Sequence, residues 1–462
     1  MPEKEFNLAE IIEMIHNKQL KKLRELLDTL NPADIAEIME SLVDDEEITY
    51  EQIPMFFRLL PKDLAADTFV ELNSDLQEEL IKALTDKELK FVLDDVFVDD
   101  AVDIIEEMPA NVVKRMLLNV DAETRKNINQ ILQYPEDSAG SIMTMEYVSL
   151  HPGMTVQDAF DHIRKTGLEK ETIYTCYVTE KRKLIGICSV RDLLLHSYEE
   201  NIQDIMEEDV ISVKTTDDKE YVAQQLAKYD FTALPVVDKS NLLVGIVTVD
   251  DALDVLTEEA TEDIEKMAAI TPSEHPYLRS STLEIWKQRI PWLLLLMVSA
   301  TFTGLIITSF ENQLAAQVAL TAFIPMIMDT GGNSGSQASV TIIRGLSLGD
   351  IELEDVFKVI WKEFRVSILC GVVLAVVAFG KIMLIDHLLM GNSDITPFVA
   401  LVVSCTLVVT VIIAKFVGCT LPLLAKRLRL DPAVMASPFI TTIVDALSLM
   451  VYMTLASAIL NL

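Results

Sequence analysis

Five apolar runs in the last third of the chain limit its fold more than any other feature. They lie at about 291–310, 314–343, 366–385, 397–425 and 432–460. Each run approaches or exceeds the roughly 20 residues that a helix needs to cross the hydrocarbon core of a bilayer. The runs therefore predict an α-helical membrane domain with five transmembrane helices, which we place at residues 286–462.

Basic residues between the runs predict the orientation of these helices. One side of the predicted membrane carries all of these basic residues except Lys381, which lies on the other side. The larger group is Lys287, Arg289, Lys358, Lys362, Arg365, Lys426, Arg427 and Arg429. By the positive-inside rule, this side and the long N-terminal region are cytoplasmic, and an odd number of spans puts the C-terminus outside. We therefore expect a multi-pass protein of the plasma (inner) membrane.

The charge of the chain excludes one class of partner. The chain has 72 Asp and Glu against 38 Lys and Arg, and its formal net charge is −34. Most of the acidic residues precede Thr282, so the N-terminal region repels nucleic acid and attracts cations. The five cysteines of the whole chain lack CxxC spacing, which indicates a reduced compartment without a zinc or disulfide framework.

Residues 1–132 are predicted to form an acidic helical domain. Apolar residues recur there at spacings of three and four, without strand-like alternation. Three segments begin alike at intervals of about 24 residues, and their second residues, Pro61, Thr85 and Pro109, suit the start of a helix. Repeated short helices of this kind predict an all-α superhelical domain.

A second repeat, with a period near 60 residues, follows. Each copy has a strand-like run that contains a glycine, Leu184 to Val190 and Leu242 to Val249, and each run leads into a helix. The pattern resembles a tandem pair of α/β CBS domains, which we place at 134–200 and 201–260. A connecting helix from about Thr261 to Ala269, within a segment 261–285, is expected to lie at the membrane face.

Two polar features interrupt the apolar runs. The stretch "DTGGNSGSQ", which begins at Asp329, lies in the second run, and Asp445 lies in the fifth run, roughly 20 Å of helix beyond Asp431. A carboxylate at the membrane centre costs about 2.5–3.5 kcal/mol, so Asp445 should face water, a cation or a basic partner. Lys381 and Lys415 lie near the ends of their runs, so a cation site is favoured. Tight helix packing and an ion pair stay open as alternatives.

These motifs together resemble the MgtE family of magnesium channels. The segments that carry the resemblance are "DTGGNSGSQASVTIIRGL", "GIVTVDDALDVLTEEATEDI" and "DPAVMASPFITTIVDALSLMVY", behind an acidic helical domain. The resemblance covers essentially the whole chain. It implies a homodimeric, Mg²⁺-selective channel with a pore between protomers, and cytoplasmic domains that close it when cytosolic Mg²⁺ is abundant.

The resemblance also implies which residues form the sites. In the pore it points to Asp445, with Thr441 one turn and Ser437 two turns earlier. The implied acids of a regulatory Mg²⁺ sensor are Asp99, Asp103, Asp218, Asp230, Asp251, Asp254, Glu259, Glu262 and Asp263. The implied ATP site of the CBS pair consists of Tyr174, Arg191, Asp192 and Phe231.

Simple electrostatics agrees with a sensor of this kind. Asp99 and Asp103 are one helical turn apart, so we expect them to share a face. Without divalent ions these acids and those near Asp251 should repel one another, and bound ions should bridge them.

Two alternatives to a gated channel stay open. The first is a carrier coupled to H⁺ or Na⁺, because one acid within the membrane can also relay protons. The second is a membrane-anchored sensor, although a simple tether needs neither Asp445 nor the polar second run. The sequence contains no nucleophile elbow, P-loop or zinc motif, so we do not expect an enzyme.

Overall fold

The structure is a computed structural model that describes residues 8–44, 47–273, 277, 280–435 and 437–460. The side chains of Lys62, Asp63 and Ser437 lie outside this description. The chain divides into two compact units, Met1–Leu256 and Thr257–Leu462, and each is described by itself.

The first part of the chain is helical, as predicted. Pro61, Thr85 and Pro109, the second residues of the repeated segments, are the N-cap residues of three of the helices. The described helices are α1 Leu8–His16, α2 Leu20–Leu27, α3 Pro32–Asp44, α4 Ile53–Phe57, α5 Lys62–Glu71, α6 Ser74–Ala83, α7 Asp86–Leu93, α8 Val98–Glu107, α9 Ala110–Asn119 and α10 Ala122–Ile131. Their apolar faces form one buried core with part of the following domain.

Two three-stranded sheets follow, one for each copy of the second repeat. In each sheet the first two strands are parallel and the last two antiparallel, so the copies share one topology. The elements are β1 Tyr147–Leu150, α11 Val156–Thr166, β2 Thr172–Glu180, β3 Lys183–Ser189, α12 Val190–Leu195, α13 Ile202–Ile205, β4 Val213–Lys214, α14 Lys219–Tyr229, β5 Ala233–Val237 and β6 Leu243–Thr248. Strands β3 and β6 are the runs that the sequence predicted.

The next helix, α15 Val249–Met267, begins earlier than expected. The sequence predicted a separate helix from about Thr261, whereas one continuous helix of 19 residues starts directly after β6. The Thr248 hydroxyl donates to the carboxylate of Asp251 at 2.5 Å. In this geometry Thr248 is the capping residue and Asp251 is the third residue of the helix. This local pair begins the helix at Val249, and no break follows before Met267. Pro276, in the predicted connecting segment 261–285, lies outside the described residues.

The second unit is built from long apolar helices. They are α16 Thr282–Ser309, the short α17 Glu311–Ala316, α18 Ile324–Ser347, α19 Val356–Lys381, α20 Pro397–Arg427 and α21 Ser437–Leu460. The last turns of α19 continue as a π-helix over Ile382–Leu389. By length and apolar composition, four described helical segments suffice to cross a membrane, namely those of α16, α19, α20 and α21.

The predicted count of five spans is therefore not confirmed. The predicted span that is missing from these four is the second, which corresponds to α18, a helix of 24 residues. That is roughly 36 Å of helix, so α18 is long enough, and its polar residues lower its hydropathy. The predicted run 314–343 is also divided, because Glu311–Ala316 and a 3₁₀ turn at Val318–Phe323 precede α18. Pro325 lies in the first turn of α18, where it is suited to start a helix.

Helices α18 and α20 touch through glycine. A methyl group on Gly418 would overlap the carbonyl oxygen of Gly335 and would lie 3.2 Å from its Cα atom. On the other side of Gly335, a methyl group would lie 2.8 Å from Cγ2 of Ile440 on α21. Small residues permit such close backbone approach between helices in a membrane. The glycines therefore bring α18 into direct contact with both α20 and α21.

We predict that Gly418→Ala destabilises the membrane domain. The added methyl meets backbone atoms, which cannot rotate away, so we expect a loss of about 1–3 kcal/mol. The matched control is Gly380→Ala in α19, because no atom lies within 4 Å of a methyl group there. Size-exclusion profiles of the detergent-solubilised variants after heating should show earlier loss of the folded peak for Gly418→Ala. Equal melting of the two variants would contradict the predicted contact.

Candidate functional site

Asp445 lies on α21, closer to the helix start than expected. The sequence interpretation counted helix from Asp431, whereas α21 begins at Ser437 after a 3₁₀ turn at Ala433–Met435. Asp445 is therefore roughly 12 Å along the helix, not roughly 20 Å. The side chain of Ser437, a predicted pore residue, lies outside the described residues.

The polar stretch of α18 lies against Asp445. A methyl group on Gly332 would be 2.9 Å from Cγ2 of Thr441 and 3.8 Å from Oδ1 of Asp445, so the absence of a side chain leaves room at this point. The carboxylate of Asp329, earlier on α18, interacts electrostatically with that of Asp445. The Thr441 hydroxyl donates to the carbonyl of Pro438 at 2.9 Å, so its oxygen can still accept from a ligand.

Two lysines within the membrane helices pair with other acids. Lys415 and Glu363 lie 3.4 Å apart, and both side chains are nearly buried. Lys381 lies 2.8 Å from Asp386. Among the described residues, no cationic side chain forms an ion pair with Asp445. The ion-pair alternative for Asp445 therefore has no support among the described residues, where its carboxylate is half-buried.

A second group of acids lies in the first unit, where α8 meets the CBS pair. We call it the acidic cluster, and its members are Asp99, Asp100, Glu146, Glu171, Asp250 and Asp251. Burial raises the pKa of Asp99 well above its usual value, and the negative charge of Asp251 raises it further. Burial, followed by the charge of Asp251, raises the pKa of Asp100 to about 7. Glu171 has a pKa of about 7 for the same reason, with Asp100 as the main neighbouring charge.

Hydrogen bonds position the acids of the cluster. Glu146 accepts from the Thr144 hydroxyl at 2.7 Å and from the backbone N–H of Val98 at 3.4 Å. Oε2 of Glu171 is buried, and no hydrogen-bond partner for it lies in the described part of the chain. Such an orphaned carboxylate oxygen fits a bound cation. However, no three acidic, histidine or cysteine side chains in the described ranges are arranged to hold a metal ion. The cluster thus concentrates charge without an assembled set of ligands.

Some predicted sensor residues do not join this cluster in the way the sequence suggested. Asp99 is buried, with 6% exposure, whereas Asp103 is exposed, so the two residues differ in their access to solvent. The carboxylate of Asp100, which the sequence did not single out, interacts with that of Asp251. Asp218 is the N-cap of α14 and accepts from the backbone N–H of Glu220 at 2.9 Å. Asp230 ends α14 with a φ of 54° and is exposed.

The remaining predicted acids lie along α15. Burial raises the pKa of Asp254, which the charge of Asp250 raises further. Glu259 is half-buried. In the second unit, Asp263 accepts from the hydroxyl of Ser347 on α18 at 2.7 Å.

Lys266 completes the contacts at the end of α15. Its ammonium lies 2.6 Å from Asp431, which precedes α21, and it also contacts Glu262 on its own helix. The last two turns of α15 are therefore tied to α18 and to the segment before α21. We call these contacts, from Asp263 to Ser347 and from Lys266 to Asp431, the α15 contacts.

The predicted nucleotide residues have different environments. Strand register pairs Thr175 with Ser189, which brings Tyr174 and Arg191 to the same end of the β2–β3 pair. Tyr174 is 71% exposed. Asp192 accepts from the hydroxyl of Ser189, the N-cap residue of α12, at 2.5 Å. Phe231 stacks on Tyr229, with ring centroids 5.5 Å apart.

Sequence reasoning missed several acids. Asp100 directly follows Asp99 in "VDDAVD", so it could have been considered. Glu146 and Glu171 belong to different segments and carry no local signal, because only the fold brings them to α8. Asp329 was noticed as polar within an apolar run, but no role was assigned to it.

Comparison with known proteins agrees with this division of the chain. The profile of the MgtE divalent cation transporter family matches residues 324–455. The MgtE intracellular N domain matches residues 30–137, and the CBS domain matches 139–199 and 202–258. The magnesium transporter MgtE of Thermus thermophilus is 36% identical over 97% of both chains. That of Bacillus subtilis is 34% identical over 98% of this chain and 97% of its own.

The chain belongs to the MgtE family. Membership confirms the predicted combination of a helical N domain, tandem CBS domains and a helical membrane region. Since its full-length MgtE relatives are transporters, the prediction that the chain is not an enzyme is also confirmed. As an MgtE protein with long apolar helices, the chain is a multi-pass membrane protein.

A solved structure is also similar to this MgtE chain. The crystal structure of the cytosolic domain of the Mg²⁺ channel MgtE in complex with ATP is 36% identical, with a TM-score of 0.49. The match covers 54% of this chain and 99% of that chain.

We predict that, without divalent ions, the protein is more stable at pH 6 than at pH 8. Asp100 and Glu171 have folded pKa values of about 7, above the values of about 4 expected in the unfolded chain. Between these pKa values the folded state binds more protons than the unfolded state. The free energy of unfolding therefore falls as the pH rises through about 7.

Thermal unfolding of the full chain in EDTA tests this prediction. The double variant Asp100→Asn, Glu171→Gln should show a smaller difference between pH 6 and pH 8 than the unmodified protein. Each kcal/mol corresponds to about 2–4 °C in a unit of this size. An unchanged pH dependence in the double variant would refute the prediction.

Proposed function

We propose that the chain transports Mg²⁺ across the bacterial inner membrane through a pore that contains Asp445. The observation that carries the proposal is a half-buried carboxylate on a membrane helix, beside a glycine-rich polar helix and without a cationic partner among the described residues. Mg²⁺ releases its water reluctantly and is bound through one or two carboxylates together with neutral oxygen atoms. Asp445, with Thr441 and Ser437 as neutral ligands, suits a hydrated Mg²⁺ ion.

The functional unit of this proposal is a homodimer. All residues of α16 are described, and none of them is buried in the single chain, although the helix has 28 residues. In a dimer, two copies of Asp445 would face one pore and double the negative charge that attracts the ion. The positive-inside rule places the basic ends of the helices and the soluble domains in the cytoplasm.

We predict that Asp445→Ala abolishes Mg²⁺ uptake while the protein still folds and assembles. Asp445→Asn should fail as well, because the amide keeps the shape but loses the charge. The control is Asp394→Asn, which neutralises an exposed acid in the segment before α20. Mg²⁺ entry into proteoliposomes, followed with an internal Mg²⁺-sensitive dye, measures the effect. Normal uptake by Asp445→Asn would exclude the proposed pore.

The same proteoliposomes distinguish a channel from the alternative, a carrier coupled to H⁺ or Na⁺. A Mg²⁺ current that does not depend on a proton or sodium gradient supports the channel. Uptake that requires one of these gradients supports the coupled carrier.

Regulation by cytosolic Mg²⁺ is the second part of the proposal. The acidic cluster gathers carboxylates from α8, from the CBS pair and from the start of α15. The raised pKa values of Asp99, Asp100, Glu171 and Asp251 express the free-energy cost of burial and of repulsion within the cluster. A divalent ion would lower this cost by bridging them, so high Mg²⁺ should favour the packed arrangement.

Helix α15 supports a connection between the sensor and the pore. Its first turn carries Asp250 and Asp251 of the acidic cluster, and its last turns carry the α15 contacts. A change in the environment of the first turn would thus act on a helix whose other end is attached to α18 and to the segment before α21. We infer that closure at high Mg²⁺ is transmitted along this helix.

ATP binding to the CBS pair is a further part of the proposal. Tyr174 and Phe231 would bracket the adenine, and Arg191 would contact phosphate or ribose. The exposure of Tyr174 and Arg191 supports access for a ligand. Asp192 already accepts two hydrogen bonds from Ser189, so it would contribute mainly by fixing the start of α12.

We predict that neutralising the acidic cluster removes the response of the protein to Mg²⁺. In limited proteolysis, the unmodified protein should become protected at Mg²⁺ concentrations on the order of 1 mM, as expected of weak oxygen-ligand sites. The variant Asp100→Asn, Glu171→Gln, Asp251→Asn should show a flat profile. These amides keep the shape of the side chains, and the amide oxygen that Asp251→Asn introduces could still accept from the Thr248 hydroxyl.

A charge-matched control separates this effect from a general loss of negative charge. The control neutralises three exposed acids elsewhere in the CBS pair, Glu199, Glu208 and Asp209. It should keep the protection seen in the unmodified protein. If the cluster variant were also protected by Mg²⁺, the ions would bind elsewhere.

A further inference from the structure

An aromatic groove lies on the surface of the membrane domain, and none of its lining residues belongs to the proposed pore or to the α15 contacts. It has a volume of about 650 Å³ and lies between the first turns of α19 and the second half of α20. Its lining residues are Phe357, Ile360, Trp361, Phe364, Ile412, Ile413 and Phe416. Phe357 is 85% exposed and Trp361 59% exposed, so the groove is open along its length.

The lining is ordered by contacts between its own side chains. The rings of Trp361 and Phe364 stack with centroids 5.7 Å apart. On the inner side of α19, the ion pair of Glu363 with Lys415 joins the two helices next to the groove. These contacts fix the spacing of the walls, so the groove is a built feature and not a gap between loose side chains.

One flank of the groove is basic. Lys358, Lys362 and Arg365 lie at positions i, i+4 and i+7, which puts them on one side of α19. The guanidinium of Arg365 lies 5.9 Å from the centroid of the Trp361 ring, at the wall of the groove. Lys358 contacts Asp355 at 2.6 Å, so the positive charge at the groove rests mainly on Lys362 and Arg365.

We propose that this groove binds an anionic phospholipid. The acyl chains would occupy the aromatic groove and continue along exposed apolar residues of α19, such as Leu369 and Val372. The phosphate would lie between Lys362 and Arg365 at the basic end of the helix. The acyl chains of any lipid could enter the apolar groove. The two adjacent cations favour a lipid whose headgroup is negatively charged. Basic pockets between membrane helices commonly recognise such headgroups.

The fluorescence of Trp361 can report which lipid occupies the groove. The chain contains three tryptophans, so Trp286→Phe with Trp292→Phe leaves Trp361 as the sole source of tryptophan fluorescence. This protein is reconstituted in bilayers that contain either brominated phosphatidylglycerol or brominated phosphatidylcholine at the same mole fraction. Bromine quenches a tryptophan that it contacts, so the ratio of the two quenching curves gives the relative affinity.

We expect phosphatidylglycerol to be preferred by about fivefold or more, since one basic residue near the membrane surface contributes about that factor. Lys362→Gln with Arg365→Gln should reduce the preference to near one, and so should high salt. The control Lys287→Gln with Arg289→Gln removes two charges from α16 and should keep the preference.

Three results would overturn the proposal. Equal quenching by the two lipids would mean ordinary contact with bulk lipid. If the control variant lost the preference for phosphatidylglycerol to the same extent, the preference would arise from the general surface potential of the protein and not from the groove. No quenching by either lipid would mean that protein, such as a second copy of the chain, covers the groove. The measurement does not involve Mg²⁺ transport, so its result is independent of the proposed function.

Discussion

Carboxylates that lack a cationic partner are the constraint on which the rest of this structure depends. Asp445 on a membrane helix and the acidic cluster at α8 have this property in common among the described residues, although they belong to different units. Elsewhere in the membrane domain, acids are neutralised, as Glu363 is by Lys415 and Asp386 by Lys381. A negative charge that is kept from water without compensation is costly. These are the two places at which we propose that Mg²⁺ acts, in the pore at Asp445 and in regulation at the acidic cluster.

Close backbone packing makes the membrane site. Gly335 and Gly418 allow α18 and α20 to touch, and Gly332 leaves space beside Thr441 and Asp445. Larger residues would separate the helices and move the polar face of α18 from the carboxylate. The small residues in "DTGGNSGSQ" thus have two effects, since they permit tight packing and they keep Asp445 beside polar groups. The two interpretations that the sequence left open for this stretch, packing and a cation site, are compatible.

Local patterns predicted the elements well wherever the cause of an element is local. The N-caps at Pro61, Thr85 and Pro109 and the glycine-containing strands β3 and β6 were found because their signals lie within a few residues. The start of α21 and the division of the second apolar run were missed, because hydrophobicity alone does not show where a helix begins inside an apolar segment. The difference in burial between Asp99 and Asp103 was missed because spacing gives only a relation between two residues, and the packing of α8 decides which of its sides is buried.

The sequence by itself determined the class of the protein, its family and the presence of an acid within the membrane, because composition, repeats and motifs are properties of the chain. Only the tertiary structure decided which acids act together. Glu146 and Glu171 meet Asp99 and Asp100 through contacts between segments that are distant in the chain, and Lys266 reaches Asp431 in the same way. Electrostatic interaction depends on distance and burial in space, and neither quantity can be read from the order of residues.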